Sequence, residues 1–450
     1  MTYPEAIQFL YDLQLFGARL GLDAPRALAA WAGNPQDKLR FIHVAGTNGK
    51  GSTCAMLESI YRAAGLRVGL YTSPHLVSFR ERIQTNRRPV SEADVVRLTE
   101  ELRGAPATAE THPTFFEFVT IMALKYFAEQ RCDLVILETG LGGRLDATNI
   151  VTPLASVITN IALDHQEWLG GTLEKIAAEK AGIIKRDVPA VTATDAPEAL
   201  RVIEEAATRM KAPLTVVDAA TVARLDIPVS LRGAHQRTNA ALALATVKVL
   251  REKLPVDDAA IRRGLATVQW PGRMQLLQLV PSRQLLLDGA HNVAGIEALC
   301  AALRSEFAGR EFALVLGILR DKDWAPMVQR IAPLARRILL PPVTGERALP
   351  TADLAAACRR ANPRAELSEC ASIADALTAT AGDPFTVVTG SLYFIGSVLE
   401  ALGHDGVSGV SELALNDYTR AGQVSAAAAR TELRRTLAQT FTPTKARRAS

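Results

Sequence analysis

The sequence lacks the features of an exported, membrane-spanning or nucleic-acid-binding protein. Its five cysteines are an odd number and widely scattered, with no Cys-x-x-Cys pair and no metal-ligand spacing, which indicates a reducing compartment. No apolar run approaches about 18 residues, and residues 1–5 do not have the charged-then-apolar profile of a signal peptide. The net charge of +4 is spread over the whole chain without a dense basic stripe. We therefore expect a cytoplasmic protein that binds neither nucleic acid nor a membrane. We also expect a monomer.

Chain length and apolar patterning predict two α/β domains. At 450 residues the chain exceeds the size at which one hydrophobic core keeps growing. Apolar runs of strand length alternate with helical patterns, which is typical of mainly parallel sheets covered by helices on both faces. The predicted strands are residues 66–71, 134–138 and 155–160 in the first half, and 284–287, 312–316, 337–340 and 385–389 in the second.

Changes in this alternation predict the domain boundaries. The alternation restarts after Trp270-Pro-Gly-Arg273, so we place a hinge near residues 270–283 and expect domains at 1–272 and 273–407. Beyond about residue 407 the alternation is lost, and we expect residues 408–450 to be a flexible appendage with at most an isolated polar helix over 425–437. Chains of this type commonly bind ligands in the cleft between their halves.

A glycine-rich turn in the first half predicts a nucleotide phosphate site. Residues 39–52 run an apolar stretch into a turn that carries one lysine and one serine, and a helical pattern follows at 53–64. Glycines allow backbone N–H groups to face an anion, and the helix adds its positive N-terminal end. A lysine can supply charge to the outer phosphates, and a serine hydroxyl can reach a phosphate or its metal. We expect the phosphates to be bound by Gly46, Thr47, Asn48, Gly49, Lys50, Gly51 and Ser52.

This turn departs from the ordinary phosphate-loop pattern at one position. That pattern has a glycine five residues before the Gly-Lys pair, where this chain has Val44. The difference disfavours a generic kinase or GTPase. A purely structural glycine turn is the alternative to a phosphate site.

Five motifs follow one another in a fixed order. They are GTNGKGS at residues 46–52, TSPHL at 72–76, ETGLGGRLDATN at 138–149, EKAGI at 179–183 and DGAHN at 288–292. Together they closely resemble those of the folylpolyglutamate synthase and dihydrofolate synthase family, within the Mur ligase superfamily, over about residues 1–405. The resemblance implies an α/β fold with an N-terminal P-loop ATPase-type domain, whose sheet is mainly parallel, and a smaller C-terminal Rossmann-like domain.

The resemblance also implies an activity. Family members join L-glutamate to a carboxylate of dihydropteroate or of a folate, with ATP as cosubstrate and magnesium as cofactor. A carboxylate does not react with an amine at neutral pH, so ATP first converts it to an acyl phosphate. The enzyme must then offset the charge on the moving phosphoryl group and bring the amine within reach.

The resemblance identifies Ser73, Glu138 and His165 as ligands of magnesium, with two ions expected. Each residue falls just past a predicted strand, where the side chains of a parallel sheet converge. A hydroxyl and a carboxylate suit a hard cation, whereas a histidine is a less usual ligand. From the residues alone, a turn-capping Ser73, a salt-bridged Glu138 and a packed His165 are the alternatives.

A lysine is also implied in the metal site. Lys180 lies in a helical pattern over residues 172–184 and matches a lysine that is carbamylated by carbon dioxide in this superfamily. Carbamylation would turn a cation that repels metal ions into an oxygen-donor anion. A lysine on a solvated helix face is the alternative. By the same resemblance, the catalytic residues are Lys50, Lys180 and His165.

Three segments match the family's pterin-binding positions. A flat ring with amide and amine edges requires an aromatic wall and a carboxylate partner, and Phe115, Phe116, Glu117 and Asp146 supply those types. Core packing is the alternative for the two phenylalanines. The full set that the resemblance implies is Arg19, Leu20, Gly21, Leu22, Thr114, Phe115, Phe116, Glu117, Leu145, Asp146 and Ala147.

Positions beyond the first motifs complete the implied site. Asn239 corresponds to a residue that pairs with the adenine edge, Arg273 to one that reaches the phosphates, and Asp288 to a further ATP contact at the end of the second domain's first predicted strand. His291 and Ser391 match places that hold the incoming glutamate. Because these residues belong to both predicted domains, catalysis would require the domains to close.

Four functions are weighed against one another. A bifunctional dihydrofolate synthase and folylpolyglutamate synthase is favoured because the segments at 19–22 and 114–117 fit the bifunctional kind. A monofunctional folylpolyglutamate synthase is the alternative, and it differs from the bifunctional kind at few residues. A ligase of UDP-muramyl precursors would need an additional domain before residue 46, and a noncatalytic binder predicts a lost lysine or metal ligand. The implied small-molecule partners are ATP, L-glutamate, dihydropteroate and reduced folates.

Overall fold

The computed structural model describes residues 1–14, 21–106, 112–345, 347–403, 412 and 415. Its described part forms two α/β halves, each built around one sheet. The strands are β1 (Phe41–Ala45), β2 (Val68–Tyr71), β3 (Ile83–Thr85), β4 (Arg88–Pro89), β5 (Leu134–Glu138), β6 (Ala155–Ile158), β7 (Ala190–Thr192), β8 (Leu214–Val216), β9 (Gln275–Val280), β10 (Arg283–Asp288), β11 (Ala313–Leu316), β12 (Arg337–Leu340), β13 (Glu366–Glu369) and β14 (Phe385–Thr389).

Helices connect most of these strands. They are α1 (Tyr3–Gln14), α2 (Asp23–Trp31), α3 (Lys50–Ala63), α4 (Glu92–Leu102), α5 (Phe115–Glu129), α6 (Gln166–Leu169), α7 (Leu173–Ala181), α8 (Pro197–Arg209), α9 (Ala219–Ala223), α10 (Ala234–Val249), α11 (Asp258–Thr267), α12 (Val293–Glu306), α13 (Trp324–Ile331), α14 (Thr351–Ala361), α15 (Ile373–Ala379) and α16 (Leu392–Ala401), with 3-10 turns at Pro35–Lys38, Phe79–Arg82, Ala147–Ile150 and Ala332–Leu334. Within the described ranges, every helix falls short of what a transmembrane span requires.

The first sheet has eight strands in the order β4-β3-β2-β5-β1-β6-β7-β8. The run from β2 to β8 is parallel, and β3 and β4 add an antiparallel edge. Strands β1 and β5 are buried on both faces, which explains why they are apolar runs rather than alternating patterns. The carboxyl ends of β1, β2, β5 and β6 meet at one edge, where ligands bind in sheets of this type.

Helices cover both faces of this sheet. Phe41 of β1 packs in a core with α1, α4 and α5, whereas its neighbour Ile42 packs in a core with α3 and α10. Successive side chains of a strand point to opposite faces, so each residue of the pair serves a different layer. A further cluster joins α7 and α8 to the sheet through Ala45 and Ile158.

The second sheet has six strands in the order β13-β12-β11-β14-β10-β9. All neighbours are parallel except β9, which pairs antiparallel with β10.

Strand β9 occupies residues that we assigned to the hinge, so that assignment is wrong over Gln275–Val280. Its residues are mostly half-exposed, and this edge strand therefore lacks the apolar signal of the central strands. Asp288 consequently ends the second strand of this half, not the first.

The predicted fold class is confirmed. Strands β5, β12 and β14 have the predicted bounds, and the other predicted strands differ by one or two residues at an end. Strands β7 and β8 were not predicted because three residues are too few for a periodic pattern. Most of the expected appendage at 408–450 lies outside the described residues, as does the segment 425–437. Glu412 and Leu415 are described, and both are buried, so at these two positions the expectation of a flexible appendage is wrong.

Candidate active site

The phosphate loop joins β1 to α3 and adopts backbone conformations that suit glycine. Gly46 has φ +147° and Gly49, which directly precedes α3, has φ +85°. A Cβ atom on Gly46 would lie 1.8 Å from Oγ1 of Thr159, and one on Gly49 would lie 2.5 Å from Oδ1 of Asn239. These glycines therefore also provide space for neighbouring side chains, a reason that their spacing in the sequence did not reveal.

A segment after β6 supports the phosphate loop. The N–H of Thr47 donates to the carbonyl of Asn160 at 2.9 Å, and the N–H of Asn48 donates to the Asn160 side-chain oxygen at 2.8 Å. The hydroxyl of Thr159 donates to the carbonyl of Asn48 at 2.6 Å. Two loops from adjacent strands thus fix each other at the carboxyl edge of the sheet.

Two lysines converge on one backbone carbonyl of this loop. Nζ of Lys50 donates to the carbonyls of Gly46 and Thr47 at 3.0 and 3.1 Å, and Nζ of Lys180 donates to the same Gly46 carbonyl at 2.8 Å. Lys180 is buried, and burial, together with the charge of Lys50, lowers its pKa to about 7. Burial therefore favours the neutral amine form of Lys180 more than water does.

Glu138 and Ser73 meet at the ends of β5 and β2. The N–H of Ser73 donates to Oε2 of Glu138 at 3.2 Å. Burial raises the pKa of Glu138 to about 7, although Lys50 and Arg273 oppose the shift. A carboxylate whose burial outweighs the surrounding positive charge is an attractive ligand for a cation.

His165 lies at the start of α6, beside an acidic residue that joins the two halves. Its side chain is 44% exposed, and its Nε2 lies 3.9 Å from Oδ1 of Asp164. Asp164 also contacts Nζ of Lys322 at 2.8 Å and Nε2 of His291 at 3.6 Å. Burial alone would raise the pKa of Asp164, but His291 and Lys322 hold it well below its usual range.

An amide pair ties the phosphate loop to the second half. Nδ2 of Asn292 donates to Oδ1 of Asn48 at 2.9 Å, and Nδ2 of Asn48 donates to Oδ1 of Asn292 at 3.2 Å. Asn292 also donates to Oδ2 of Asp164 at 3.1 Å and accepts from the N–H of Gly295, where it caps α12. The start of α12 is therefore held directly over the phosphate loop.

The predicted ATP contacts outside the phosphate loop lie on helix α10 and around the turn that precedes β9. Asn239 donates to Gln236, whose side-chain nitrogen in turn donates to Oγ of Ser52 at 3.2 Å, so helix α10 is joined to the start of α3. Asp288 accepts backbone N–H groups of Met274 and Ala290 and thus shapes the turn that precedes β9. Burial lowers the pKa of Arg273, while Asp288 and Glu138 act in the opposite direction.

The two predicted glutamate contacts are separated in their local roles. Nδ1 of His291 donates to the carbonyl of Gly289 at 2.8 Å, and its Nε2 faces Asp164. Ser391 caps α16 by accepting the N–H of Phe394 at 3.0 Å.

The structure brings together part of the predicted pterin set. The N–H of Gly21 donates to the carbonyl of Leu145 at 3.4 Å, and Leu22 directly precedes α2. The ring of half-buried Phe116 lies against Gly140, where a Cβ atom would come within 2.4 Å of its Cζ. These contacts place an aromatic face beside the glycine-rich loop after β5. Arg19 and Leu20 lie outside the described residues.

Other members of that set have structural partners. Thr114 and Glu117 cap the start of α5 reciprocally, and both are buried. Both carboxylate oxygens of Asp146 accept donors of the chain, among them the N–H groups of Gly140 and Leu141. Phe115 and Ala147 are also buried. A pterin role for these residues stays a prediction.

Several polar residues at this edge had no role assigned to them from the sequence. Asp164 directly precedes His165, Asn292 ends the DGAHN motif, and Lys322 follows β11, so each had a signal in its position after a strand. Gln236 had no such signal in the sequence, because its contact with Ser52 depends on where α10 packs. Among the described residues, no three His, Cys, Asp or Glu side chains are grouped to hold a metal ion.

Known proteins resemble this chain over most of its length. The Mur ligase middle domain matches residues 44–218, and the Mur ligase glutamate ligase domain matches residues 272–392. The dihydrofolate synthase/folylpolyglutamate synthase of Bacillus subtilis is 38% identical over 428 residues, covering 89% of this chain and 99% of that protein.

Solved structures are similar in fold as well. Mycobacterium tuberculosis folylpolyglutamate synthase complexed with ADP superposes with a TM-score of 0.82 at 31% identity, covering 90% of this chain and 99% of that one. E. coli FolC in complex with DHPP and ADP gives a TM-score of 0.79 at 32% identity, covering 90% and 98%.

Proposed function

The chain belongs to the dihydrofolate synthase/folylpolyglutamate synthase family of Mur ligases, and we propose that it joins L-glutamate to dihydropteroate, giving dihydrofolate, and to folylpolyglutamates. The reaction consumes ATP and passes through an acyl phosphate. The observation that carries the proposal is the pairing of Asn48 with Asn292, because it joins a phosphate loop to the start of α12 in the other half. A ligase needs groups from both halves around the moving phosphoryl group.

The chain's own residues explain how ATP would be held. The N–H groups at the start of α3 and the ammonium of Lys50 offset the negative charge of the phosphates. Lys50 is already held over the loop by its bonds to Gly46 and Thr47, so its side chain needs little reordering. Arg273 adds positive charge near Glu138 from the segment between the halves.

The residues at the carboxyl edge fit magnesium. Glu138 is a buried carboxylate with a pKa raised to about 7, and Ser73 lies beside it. When bound there, Mg²⁺ would neutralise charge on the phosphates and polarise the transferred group. Ser73, Glu138 and His165 are the proposed protein ligands, and two ions are proposed. Glu138 ends the central strand β5, and its side chain is buried there.

Lys180 fits carbamylation. The neutral amine attacks carbon dioxide, an N–C bond forms, and one proton is released, which leaves a carbamate anion. The reaction needs an unprotonated amine, and burial lowers the pKa of Lys180 to about 7. The change would also replace an amine whose protonated form is repelled by the ammonium of Lys50 with an anion that attracts it.

The substrates to be joined are proposed to meet between the halves. Phe116 and the glycine-rich loop after β5 would pack against the pteridine ring, with Gly21, Leu22 and Leu145 beside it. His291 and Ser391 are proposed to hold the incoming glutamate.

All five cysteines lie in the described part and are free thiols, which supports a reducing, cytoplasmic location.

A phosphate-release assay tests the proposal. Purified protein would be given ATP, Mg²⁺ and L-glutamate with either dihydropteroate or tetrahydrofolate, and the products would be identified by mass spectrometry. Lengthened products from both acids are expected. A product from tetrahydrofolate alone would instead indicate a monofunctional folylpolyglutamate synthase, and turnover of UDP-muramyl substrates alone would overturn the proposal. The Lys50→Met variant controls for contaminating ATPases and should release little phosphate.

A further inference from the structure

The loop over residues 72–82, which follows β2 and carries Ser73, contacts both halves of the molecule. Leu76 and Val77 are buried in the core of the second half, together with Leu285 and Ile395. Three consecutive backbone N–H groups of the loop, from residue 76 to residue 78, donate to the carboxylate of Glu81 at 2.7–2.9 Å. The loop is thus internally bonded and inserted between the halves.

The same loop holds a residue from the end of the chain. Glu412 follows α16 of the second half, yet its side chain lies among residues of the first half and is only 2% exposed. The hydroxyl of Tyr3 donates to its Oε1 at 2.9 Å, and the hydroxyl of Ser78 donates to its Oε2 at 3.0 Å. The N–H of Phe79 donates to Oε2 as well. Three donors therefore surround this carboxylate.

The backbone of Glu412 is recognised too. Nε of Arg82 donates to Nδ1 of His75 at 2.9 Å, so the imidazole proton resides on Nε2. That nitrogen lies 2.9 Å from the carbonyl oxygen of Glu412 and donates to it. Nearby, the side chain of Gln14 donates to the carbonyl of Leu415 at 2.6 Å, and Leu415 is buried in the core around α1 and α5.

We propose that Glu412 is a positioning residue that holds the 72–82 loop against the rest of the site. Through Ser78 and Phe79 it fixes the loop on one side, while Leu76 and Val77 fix it in the second half. Ser73 then stays in contact with Glu138. This inference rests on the proposed function.

The loop also supports the predicted pteridine wall. The rings of Phe79 and Phe115 are in edge contact, with centroids 6.3 Å apart, and the guanidinium of Arg82 lies over Phe115 at 5.2 Å. Phe115 precedes Phe116 at the start of α5. Displacement of the loop should therefore disturb binding of the pteridine acid more than binding of ATP. On the ATP side only the contact of Ser73 with Glu138 would be lost, because the phosphate loop has its own supports in Asn160 and Thr159.

Steady-state kinetics of Glu412→Ala and Glu412→Gln test this role. We expect Glu412→Ala to raise the KM for dihydropteroate by about tenfold, the effect of losing a charged acceptor of several hydrogen bonds, with the KM for ATP changed less than about twofold. Glu412→Gln keeps one acceptor oxygen and should fall between wild type and Glu412→Ala. The matched control is Glu369→Gln, which removes an exposed carboxylate of β13 and should leave every constant unchanged.

Hydrogen exchange gives a readout that does not depend on activity. In the ligand-free full-length protein, exchange of residues 72–82 should be faster in Glu412→Ala than in wild type, while exchange of β1 and α3 stays the same. Ser78→Ala should produce a similar change, and adding it to Glu412→Ala should have little further effect.

The outcomes separate the two proposals. A wild-type protein that does not turn over dihydropteroate or tetrahydrofolate refutes the proposed function. If the wild type is active, two results refute the positioning role. One is that the KM values for dihydropteroate and ATP change together in the Glu412 variants, and the other is that their 72–82 loop exchanges as in wild type. If Glu412→Ala does not fold, Glu412→Gln decides by the same two measurements.

Discussion

Nζ of Lys322 lies 2.8 Å from Oδ1 of Asp164, and this ion pair joins the second half of the chain to the first. Both side chains are 9% exposed, so the pair is largely shielded from solvent. It lies beside His165 and Asn292, at the same edge as the phosphate loop. The charge network that holds the halves together is therefore part of the candidate active site.

The first prediction concerns this ion pair. Asp164→Asn and Lys322→Met should each lower the free energy of unfolding by on the order of 2–4 kcal/mol, because each leaves its partner buried without a counter-charge. The double variant should lose less than the sum of the two. Denaturant titrations of all four proteins without ligands would measure this, and strictly additive losses would show that the pair is not coupled.

The second prediction compares two glycines with similar backbone angles. Gly49 has φ +85°, and a Cβ atom there would lie 2.5 Å from Oδ1 of Asn239, whereas Gly65 has φ +90° and open space around it. Both alanine variants should lose about 1 kcal/mol of stability from the left-handed conformation. Only Gly49→Ala should also raise the KM for ATP, by about tenfold or more, because Asn239 must move. Nucleotide titrations would show this, and an equal effect of Gly65→Ala would contradict it.

The third prediction concerns the proposed carbamate. Lys180→Ala should lower kcat by about 10²–10³-fold, and short-chain carboxylic acids should restore part of the activity by supplying the missing oxygen ligand. Lys180→Arg is the control, since it keeps a long cationic side chain that cannot form a carbamate and should not respond. Full wild-type speed in Lys180→Ala would exclude the role.

A pH effect on the same lysine provides a further check. In buffers depleted of carbon dioxide, activity should be low at every pH, because no carbamate can form. Added bicarbonate should restore activity above about pH 7 and progressively less below it, because burial lowers the pKa of Lys180 to about 7 and the protonated amine does not react. Initial rates from pH 6 to pH 8, with and without bicarbonate, would measure the effect.

The fourth prediction uses His43, a buried residue of β1 whose Nε2 lies 2.8 Å from Oγ1 of Thr148. Burial lowers its pKa from 6.5 to about 3. Between these values the unfolded chain binds more protons than the folded one, so stability is lost as the pH falls through that range. From pH 6.5 to pH 5 wild type should lose about 1.6 kcal/mol more than His43→Val. Denaturant titrations at both pH values would test this, and parallel pH profiles would contradict it.

The sequence by itself determined the fold class, the family and the order of the motifs. Strand β5 was predicted with its bounds because it is buried on both faces and reads as a continuous apolar run. The phosphate loop was predicted because glycines and a lysine between a strand and a helix have few other uses. The resemblance based on five motifs is confirmed by the relatives, whereas the roles of individual site residues stay predictions.

The tertiary structure alone decided which residues meet. Lys50 and Lys180 are far apart in the chain and share one carbonyl, Asp164 pairs with Lys322, and Glu412 returns to the loop that carries Ser73. Local patterns report burial and backbone preference within a few residues. Contacts between distant segments depend on how whole sheets and helices pack, and the pKa shifts of Lys180 and Glu138 arise from that packing.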